Sequence, residues 1–381
     1  MCIAAQANLV GMGDSATNYE IVAYSPEFRD RLLRLQSRSW GPDLAGNSTY
    51  FKWKYEDNPH GDKPLVYLAL FDGELIGMRG FWDTNWHFNG SRIPAVCAGD
   101  LVVTQEHENK GLFRKIMGFA ETDLASRGYQ YLLNLSASPV TYLHSLRNGW
   151  KAIQPWQTVC LETGPWASLQ RAHAGMIKLP YLWRFENTSY VGNALKKLHG
   201  AMNGSRKGDV IISHEPRPEA MAAVAARHVS SRAITHAMDS DYLRWRFQSP
   251  VSEYQFFYLG EDELQGYLVM ESRPAGNHGH CAVADWRGDT PSVKQQLMQA
   301  AIAATRPAAI SIWTVNRSEE EKKILAQAGF RSIDETRGIK RYQPALLIKP
   351  LTDGPQAQDL LSQQIFDPDN WDSHMLFSDK Y

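Results

Sequence analysis

The segment from Ala98 to Met117, AGDLVVTQEHENKGLFRKIM, concentrates residues that can do chemistry. An apolar run ends near Val103, a polar turn follows, and a helix is expected to start around Lys110 or Gly111. The start of a helix leaves backbone N–H groups unpaired, and such groups hold phosphate or pyrophosphate. Gly111 lets the backbone approach an anion where a side chain would stand in the way, and Lys110, Arg114 and Lys115 add positive charge beside it. Read from the residues alone this is a candidate phosphate site, and a glycine there serves equally as a helix cap or a packing position. On the preceding strand, Asp100 reads as a buried or half-buried Asp bonded to neighbouring backbone.

The chain around this segment has the composition of a globular protein long enough for two cores: 381 residues, 43% hydrophobic and 21% charged. Forty Lys and Arg against 41 Asp and Glu give a formal net charge of -1, which offers no global field for nucleic acid or an anionic membrane. Anion binding must therefore be local. Cys2, Cys97, Cys160 and Cys281 are far apart, with no CxxC and no zinc-finger spacing, so reduced cysteines, a cytoplasmic location and no metal site are expected. The N-terminal stretch is interrupted by Gln6 and Asn8 and has no basic residue ahead of it, which argues against a signal peptide. No run of about 18 apolar residues occurs. The Asp-rich tail after Ile365 does not match the spacing of a calcium loop, and either folds back over the cleft or stays disordered.

The sequence repeats itself. Tyr50-Phe51-Lys52-Trp53-Lys54-Tyr55 returns 192 residues later as Tyr242-Leu243-Arg244-Trp245-Arg246-Phe247, aromatic for aromatic and base for base. Pro59 corresponds to Pro250, Leu70–Gly77 to Leu259–Gly266, Asp100 to Asp285, and Gly149-Trp150 to Gly329-Phe330, with the offset shrinking steadily as loop deletions would make it. Each copy predicts a first strand (Glu20 to Ala23; Val210 to Ser213), helices, two strands joined at Asp72-Gly73 or Glu261-Asp262, and a further strand. An amphipathic helix, a strand (Tyr129 to Leu135; Ala309 to Thr314), a helix and a final strand complete the unit. The pattern is α/β or α+β. The expected division is an extension over 1–18, a first unit over 19–164, a connector over 165–208, a second unit over 209–345 and a tail over 346–381.

Val103 to Phe113 resembles the pyrophosphate motif of GNAT acyltransferases, V-x-P-x-x-[RQ]-G-x-G-x-[GA], with Val103 at its V and Gly111 at its chief glycine. LLNLSASPVTYLHSLRNGW resembles the strand, helix and Gly-aromatic sequence that ends a GNAT unit, and YFKWKYEDNPHG resembles a substrate-side helix of GNAT proteins linked to polysaccharide biosynthesis. The resemblance implies two tandem GNAT-like units, each a mixed, mostly antiparallel sheet flanked by helices, with acetyl-CoA or another acyl-CoA as cofactor. The motif's Pro, Arg/Gln, next Gly and last small residue are here Gln105, Glu108, Asn109 and Phe113. In the second copy the helix start carries Thr290 and Pro291, a cap and a first-turn proline, so no cofactor is expected there.

By the same resemblance, Leu101, Val102, Val103, Glu108, Asn109, Lys110, Gly111, Leu112, Phe113, Arg114 and Ser136 would hold the cofactor, with the N–H of Val102 or Val103 on the acyl oxygen. Asp100 would be the base, and Tyr142 the acid, because the family's Tyr position is Ser145. Lys52, Trp53, Tyr55 and Arg79 would line the acceptor pocket, although Trp53 with its counterpart Trp245 reads equally as core. The acceptor expected is a small amine, possibly a nucleotide-linked amino sugar. Two alternatives stay open: an aminoacyl transfer from tRNA by a Fem-type enzyme, against which the net charge and Lys110-Gly111 speak, and a non-catalytic binding protein.

Overall fold

The computed structural model describes residues 19–155, 157–162, 205–207, 209–228, 232–272, 280–304, 309–315, 317–333, 345–351 and 360–378. The N-terminal extension and all but the end of the connector lie outside these residues.

Two sheets form the frame. The first has seven strands in the order β1 (Tyr19–Ala23), β2 (Leu65–Phe71), β3 (Glu74–Asp83), β6 (Ala95–Val103), β7 (Tyr131–Asn134), β18 (Ala345–Pro350) and β8 (Lys151–Pro155). The second has eight: β10 (Ser205–Lys207), β11 (Val210–Ser213), β13 (Glu253–Leu259), β14 (Gly266–Ser272), β15 (His280–Gly288), β16 (Ala309–Trp313), β9 (Thr158–Glu162) and β17 (Arg331–Ser332). Among the described residues each contains one parallel pair, β6 with β7 and β15 with β16, at the same place in the order once the extra edge strand β10 is set aside. The repeat read from the sequence is thus a repeat of sheets. Its turns match as well: Gly149 and Gly329, ahead of Trp150 and Phe330, have φ of 82° and 92°.

The helices are α1 (Arg29–Trp40), α2 (Leu44–Phe51), α3 (Leu112–Ser126), α4 (Pro139–Arg147), α5 (Pro218–Arg227), α6 (Ser240–Arg246), α7 (Pro291–Ala304), α8 (Glu319–Gln327) and α9 (Leu360–Gln364). Ile116, Met117, Ala120 and Leu124 give α3 the apolar stripe that seats it on one face of the first sheet, and Val293, Leu297, Met298 and Ala301 do the same for α7 on the second. Leu32, Leu33 and Leu35 of α1 cover the other face of the first sheet.

The limits drawn from sequence at 164 and 345 do not follow the sheets. β9, which succeeds the last strand of the first unit, pairs with β16 and β17 of the second sheet. In return β18, which succeeds the second unit, lies between β7 and β8 of the first. Periodicity marks a strand but carries no address for its partner, so the exchange is invisible in sequence. A small third sheet also joins the halves, with β12 (Ile234–His236) paired to β4 (Trp86–Phe88) and β4 to β5 (Ser91–Arg92).

Between the units lies a shared core. The indoles of Trp53 and Trp245 stack with centroids 5.2 Å apart and planes 14° from parallel. Trp53 Nε1 donates to the Trp245 carbonyl at 2.8 Å, and Trp245 Nε1 donates to the Trp53 carbonyl at 2.6 Å. Repeat-related residues thus meet across a local two-fold. The tail folds back onto this core: Trp371, Met375, Leu376 and Phe377 are buried in it, and Trp371 Nε1 donates to Ile365 O at 2.9 Å. Of the two fates open to the tail in sequence, these residues fold back, onto the core between the units.

Two consequences can be measured. Trp53→Phe and Trp245→Phe each remove one buried donor, so each should cost about 1–3 kcal/mol in urea unfolding. Because the rings stack on each other, the double variant should depart from additivity by roughly 0.5 kcal/mol or more. The second consequence concerns His236, buried in the shared core with one ring nitrogen 2.8 Å from Ala237 O and the other accepting from the Asn85 N–H. Burial, and secondarily the neighbouring His60, push its pKa down to about 3. The unfolded chain binds this proton more readily, so the contribution of His236 is full above the ordinary histidine pKa and is lost as pH falls from there towards 3. A His236→Phe variant should show a flatter loss of stability over that acid range.

Candidate active site

The first sheet opens at the point where the chemistry is expected. β6 pairs with β7 only from Ala95 to Cys97, yet continues along β3 to Val103. Beyond Cys97 the side of β6 that faced β7 has no strand beside it among the described residues. The Thr104 N–H bonds to Ile76 O at 2.8 Å on β3. By alternation Val102 also faces β3, whereas Leu101 and Val103 turn their N–H groups to the gap. Of the two donors the sequence offered for the acyl oxygen, this geometry favours Val103, and it adds Leu101.

The gap leads to a loop fitted for an anion. After a short turn at Gln105–His107, Glu108 is extended, Asn109 and Gly111 have φ of 61° and 74°, and α3 begins at Leu112 with Gly111 as its cap. Asn109, Lys110, Gly111 and Arg114 are exposed, Phe113 and Glu108 half-buried, and Leu112 buried. A Cβ on Gly111 would meet nothing within 4 Å, so the space in front of the helix start is open. On the far side of the gap Ser136 follows β7, its N–H held by Asn134 Oδ1 at 3.0 Å. Tyr142 is half-buried on α4 against the α3 core, whereas Ser145 is fully buried.

Asp100 occupies the opposite face of β6. It is buried and receives the Tyr55 hydroxyl at 2.7 Å, the Tyr50 hydroxyl at 3.3 Å and Lys54 Nζ at 3.4 Å. Burial first, and then the charge of Asp100, raise the Tyr55 pKa well above its ordinary value, so the phenol keeps its proton and donates. The local backbone explains the convergence. Residues Lys52–Glu56 form a π-helical turn at the end of α2, with Trp53, Lys54 and Tyr55 all buried. Such turns recur at functional sites. A bulge in β6 opposite Gly80 makes room for the phenol: a Cβ on Gly80 would lie 2.1 Å from the Tyr55 hydroxyl oxygen.

The other residues expected on the acceptor side divide. Trp53 is in the inter-unit stack, Lys52 is exposed and paired with Asp57, and Arg79 is in the core with Nη1 on Gly99 O at 2.8 Å, where it braces the bulge. Lys54 and Tyr50, which sequence reading left out of the site, are its closest members to Asp100 after Tyr55. Their four-residue spacing on one helix face was the available signal.

The second sheet has the same opening, since β15 and β16 pair only over His280–Ala282 with Ala309–Ser311. Here the chain fills it. Arg317 lies over the Trp286 ring, Lys294 Nζ bonds Glu321 at 2.8 Å, and the Thr290 hydroxyl caps α7 by accepting from the Val293 N–H. Asp285, the counterpart of Asp100, is held by Tyr267 at 2.6 Å, Arg287 at 3.1 Å and His374 of the tail at 2.6 Å. Burial works against its charge, but Arg287 and His374 outweigh it and keep the carboxyl far below its usual range.

Comparisons with known proteins agree with this fold. Residues 20–151 match the family described as the acetyltransferase (GNAT) domain. A probable N-acyltransferase from Enterococcus faecalis V583 has a similar structure: TM-score 0.58, 13% identity, covering 88% of this chain and 73% of that one. A GCN5-related N-acetyltransferase from Anabaena variabilis gives 0.56 at 10% identity, with the same coverage. A tandem GNAT protein from the clavulanic acid biosynthesis pathway gives 0.51 at 10% identity, covering 88% of this chain and 99% of that one. A search of curated protein sequences found no match. Among the described residues no cluster of metal ligands occurs and no helix is long and apolar enough to cross a membrane. The chain has a GNAT-like fold, with a recognisable acetyltransferase domain in its first part.

The loop assignment yields a direct check. Gly111→Glu puts a carboxylate into the open space in front of α3 at a positive φ, at a cost of about 1–2 kcal/mol in backbone strain. The protein should stay folded, as judged by circular dichroism, and lose acetyl-CoA binding in calorimetry. Binding at wild-type strength would show that the anion site lies elsewhere.

Proposed function

We propose that the protein is an acyl-CoA-dependent N-acyltransferase whose first unit alone binds the cofactor and whose acceptor is a small amine. The observation that carries this reading is the contrast between the two openings. The first ends at a glycine-capped helix start flanked by Lys110 and Arg114, while the second is filled by Trp286, Arg317, Lys294 and Glu321.

In this reading Asn109–Phe113 would hold the pyrophosphate and the open side of β6 the thioester, which supplies an activated acyl group when bound. The N–H groups of Leu101 and Val103 would donate to the acyl oxygen, most strongly as it gains charge. Asp100 would take the proton of the attacking amine, and Tyr142, half-buried on α4, would give one to the departing thiolate. Tyr55 and Tyr50 orient the Asp100 carboxylate, and Lys54 balances its charge while it waits in the core.

Two measurements test the reading. Acetyl-CoA at 100 times its dissociation constant should stabilise the protein by about 2.7 kcal/mol in a thermal shift. No shift with acetyl-CoA or longer acyl-CoAs would favour a non-catalytic or tRNA-dependent role. Asp100→Asn should lower turnover by roughly 10²- to 10⁴-fold with acyl-CoA affinity retained. Because that variant leaves Lys54 buried without its counter-charge, Asp100→Asn combined with Lys54→Met supplies a neutral companion. Near-normal turnover in either folded variant would remove Asp100 from the mechanism.

A further inference from the structure

The loop in front of α3 belongs to the first unit alone. Eight residues, 104–111, separate β6 from α3, whereas two, 289–290, separate β15 from α7. A loop of that length, with left-handed φ at Asn109 and Gly111, has many shapes open to it. Holding one of them before a ligand arrives removes part of the cost of binding. The backbone does some of this: the Thr104 N–H bonds Ile76 O on β3, the His107 N–H bonds Thr104 O at 2.9 Å and the Glu108 N–H bonds Gln105 O at 3.3 Å. The last two bonds are internal to the loop, so they fix its curl and not its place on the sheet.

Its place is fixed by a side chain. β6 is the fourth strand from the β1 edge, and His107 reaches back across β3 to the corner where β1 begins and β2 ends. There Tyr19 and Phe71 are paired in register, with ring centroids 5.5 Å apart. The His107 ring lies 5.0 Å from that of Phe71 and 5.6 Å from that of Tyr19, and its Nδ1 is hydrogen-bonded to the Tyr19 hydroxyl at 3.0 Å. Lys115, in the first turn of α3, lies over the same Tyr19 ring, 5.9 Å from its centroid. One phenol therefore braces both the turn that leads into Asn109–Gly111 and the helix that leaves it. Arg38 of α1 also meets Glu106, but at 3.8 Å and with both groups exposed, which is a weak tie.

We infer that Tyr19 and His107 are positioning residues of the acyl-donor site, holding Asn109–Gly111 in the shape that receives a pyrophosphate without touching a reacting atom. The inference rests on the acyl-CoA reading for the identity of that anion. Both side chains are half-buried at the rim of the sheet, so breaking their bond frees the loop and leaves the core in place.

The experiment measures acetyl-CoA binding to the full chain by calorimetry, with thermal unfolding of the unliganded protein alongside. His107→Leu and Tyr19→Phe each remove one partner, and each should weaken acetyl-CoA binding about three- to tenfold with little change in the unliganded Tm. The double variant should bind no more weakly than the weaker single one, because both substitutions act on one bond. His107→Asn keeps a polar atom near the place of Nδ1 and should bind within about twofold of wild type. Wild-type affinity in both single variants, additive losses in the double variant, or a His107→Asn variant as weak as His107→Leu would each overturn the inference and leave the acyl-CoA reading standing. A wild-type protein that binds no acetyl-CoA would remove that reading, and the inference with it.

Discussion

The structure turns on the contact between Trp53 and Trp245. Two indoles that occupy the same position in the two copies stack on each other, and each hydrogen-bonds the other's backbone. A contact between equivalent residues places a local two-fold through the pair, which brings neighbouring equivalents together as well. Lys54 and Arg246, one residue further on, therefore edge one pocket, and Tyr242 joins them. Burying two indoles and pairing both of their N–H groups removes the polar penalty that large aromatic side chains carry into a core. Trp53 is core, and the core it belongs to is the one between the units.

A second constraint explains why the copies diverged. Each bulged strand buries a carboxylate, Asp100 in β6 and Asp285 in β15, and a buried charge must be neutralised and hydrogen-bonded. In the first unit the partners Lys54 and Tyr55 come from the π-helical turn. In the second, Phe247 stands where Tyr55 would be, Arg246 is committed to Glu271 and the tail, and Asp285 draws on Arg287 and His374 instead. That arrangement recruits the tail into the second unit, with Asp372 held below its usual pKa by His374 and Arg287 against the opposing effect of burial. One carboxylate is thus held by two phenols and a lysine, and the other is sealed beneath ion pairs.

Much of this was legible in the sequence, and the limits have physical causes. The paired aromatic-basic blocks revealed the duplication, and the first strands, the Asp72-Gly73 turn and the glycine at the start of α3 lie where periodicity and turn chemistry put them. These are local features, fixed by neighbours along the chain. The π-helical turn was not legible, because burial of three consecutive residues contradicts simple helical periodicity. Lys54 escaped notice as an apparent surface lysine in a charged stretch, although it is 1% exposed. The inter-unit pocket could not be read either, since its walls come from segments more than a hundred residues apart, and the mutual cancellation of its charges exists only in three dimensions.

The exchange of strands gives a reason for a second unit that has filled in its own opening. β7 is the strand that parts from β6 to make the gap, and on its other side it is held by β18, through Leu347 opposite Asn134 and Pro350 opposite Tyr131. β8 is joined to the first sheet through β18. The strand that fixes one wall of the first opening is therefore delivered by chain that has first passed through the second sheet. In return the first half supplies β9 to bridge β16 and β17. Neither sheet is complete without the other half of the chain, so loss of the second unit would remove a strand from the first and free β7 to shift. The fold of the second unit is thus part of the frame that holds the first opening at a fixed width.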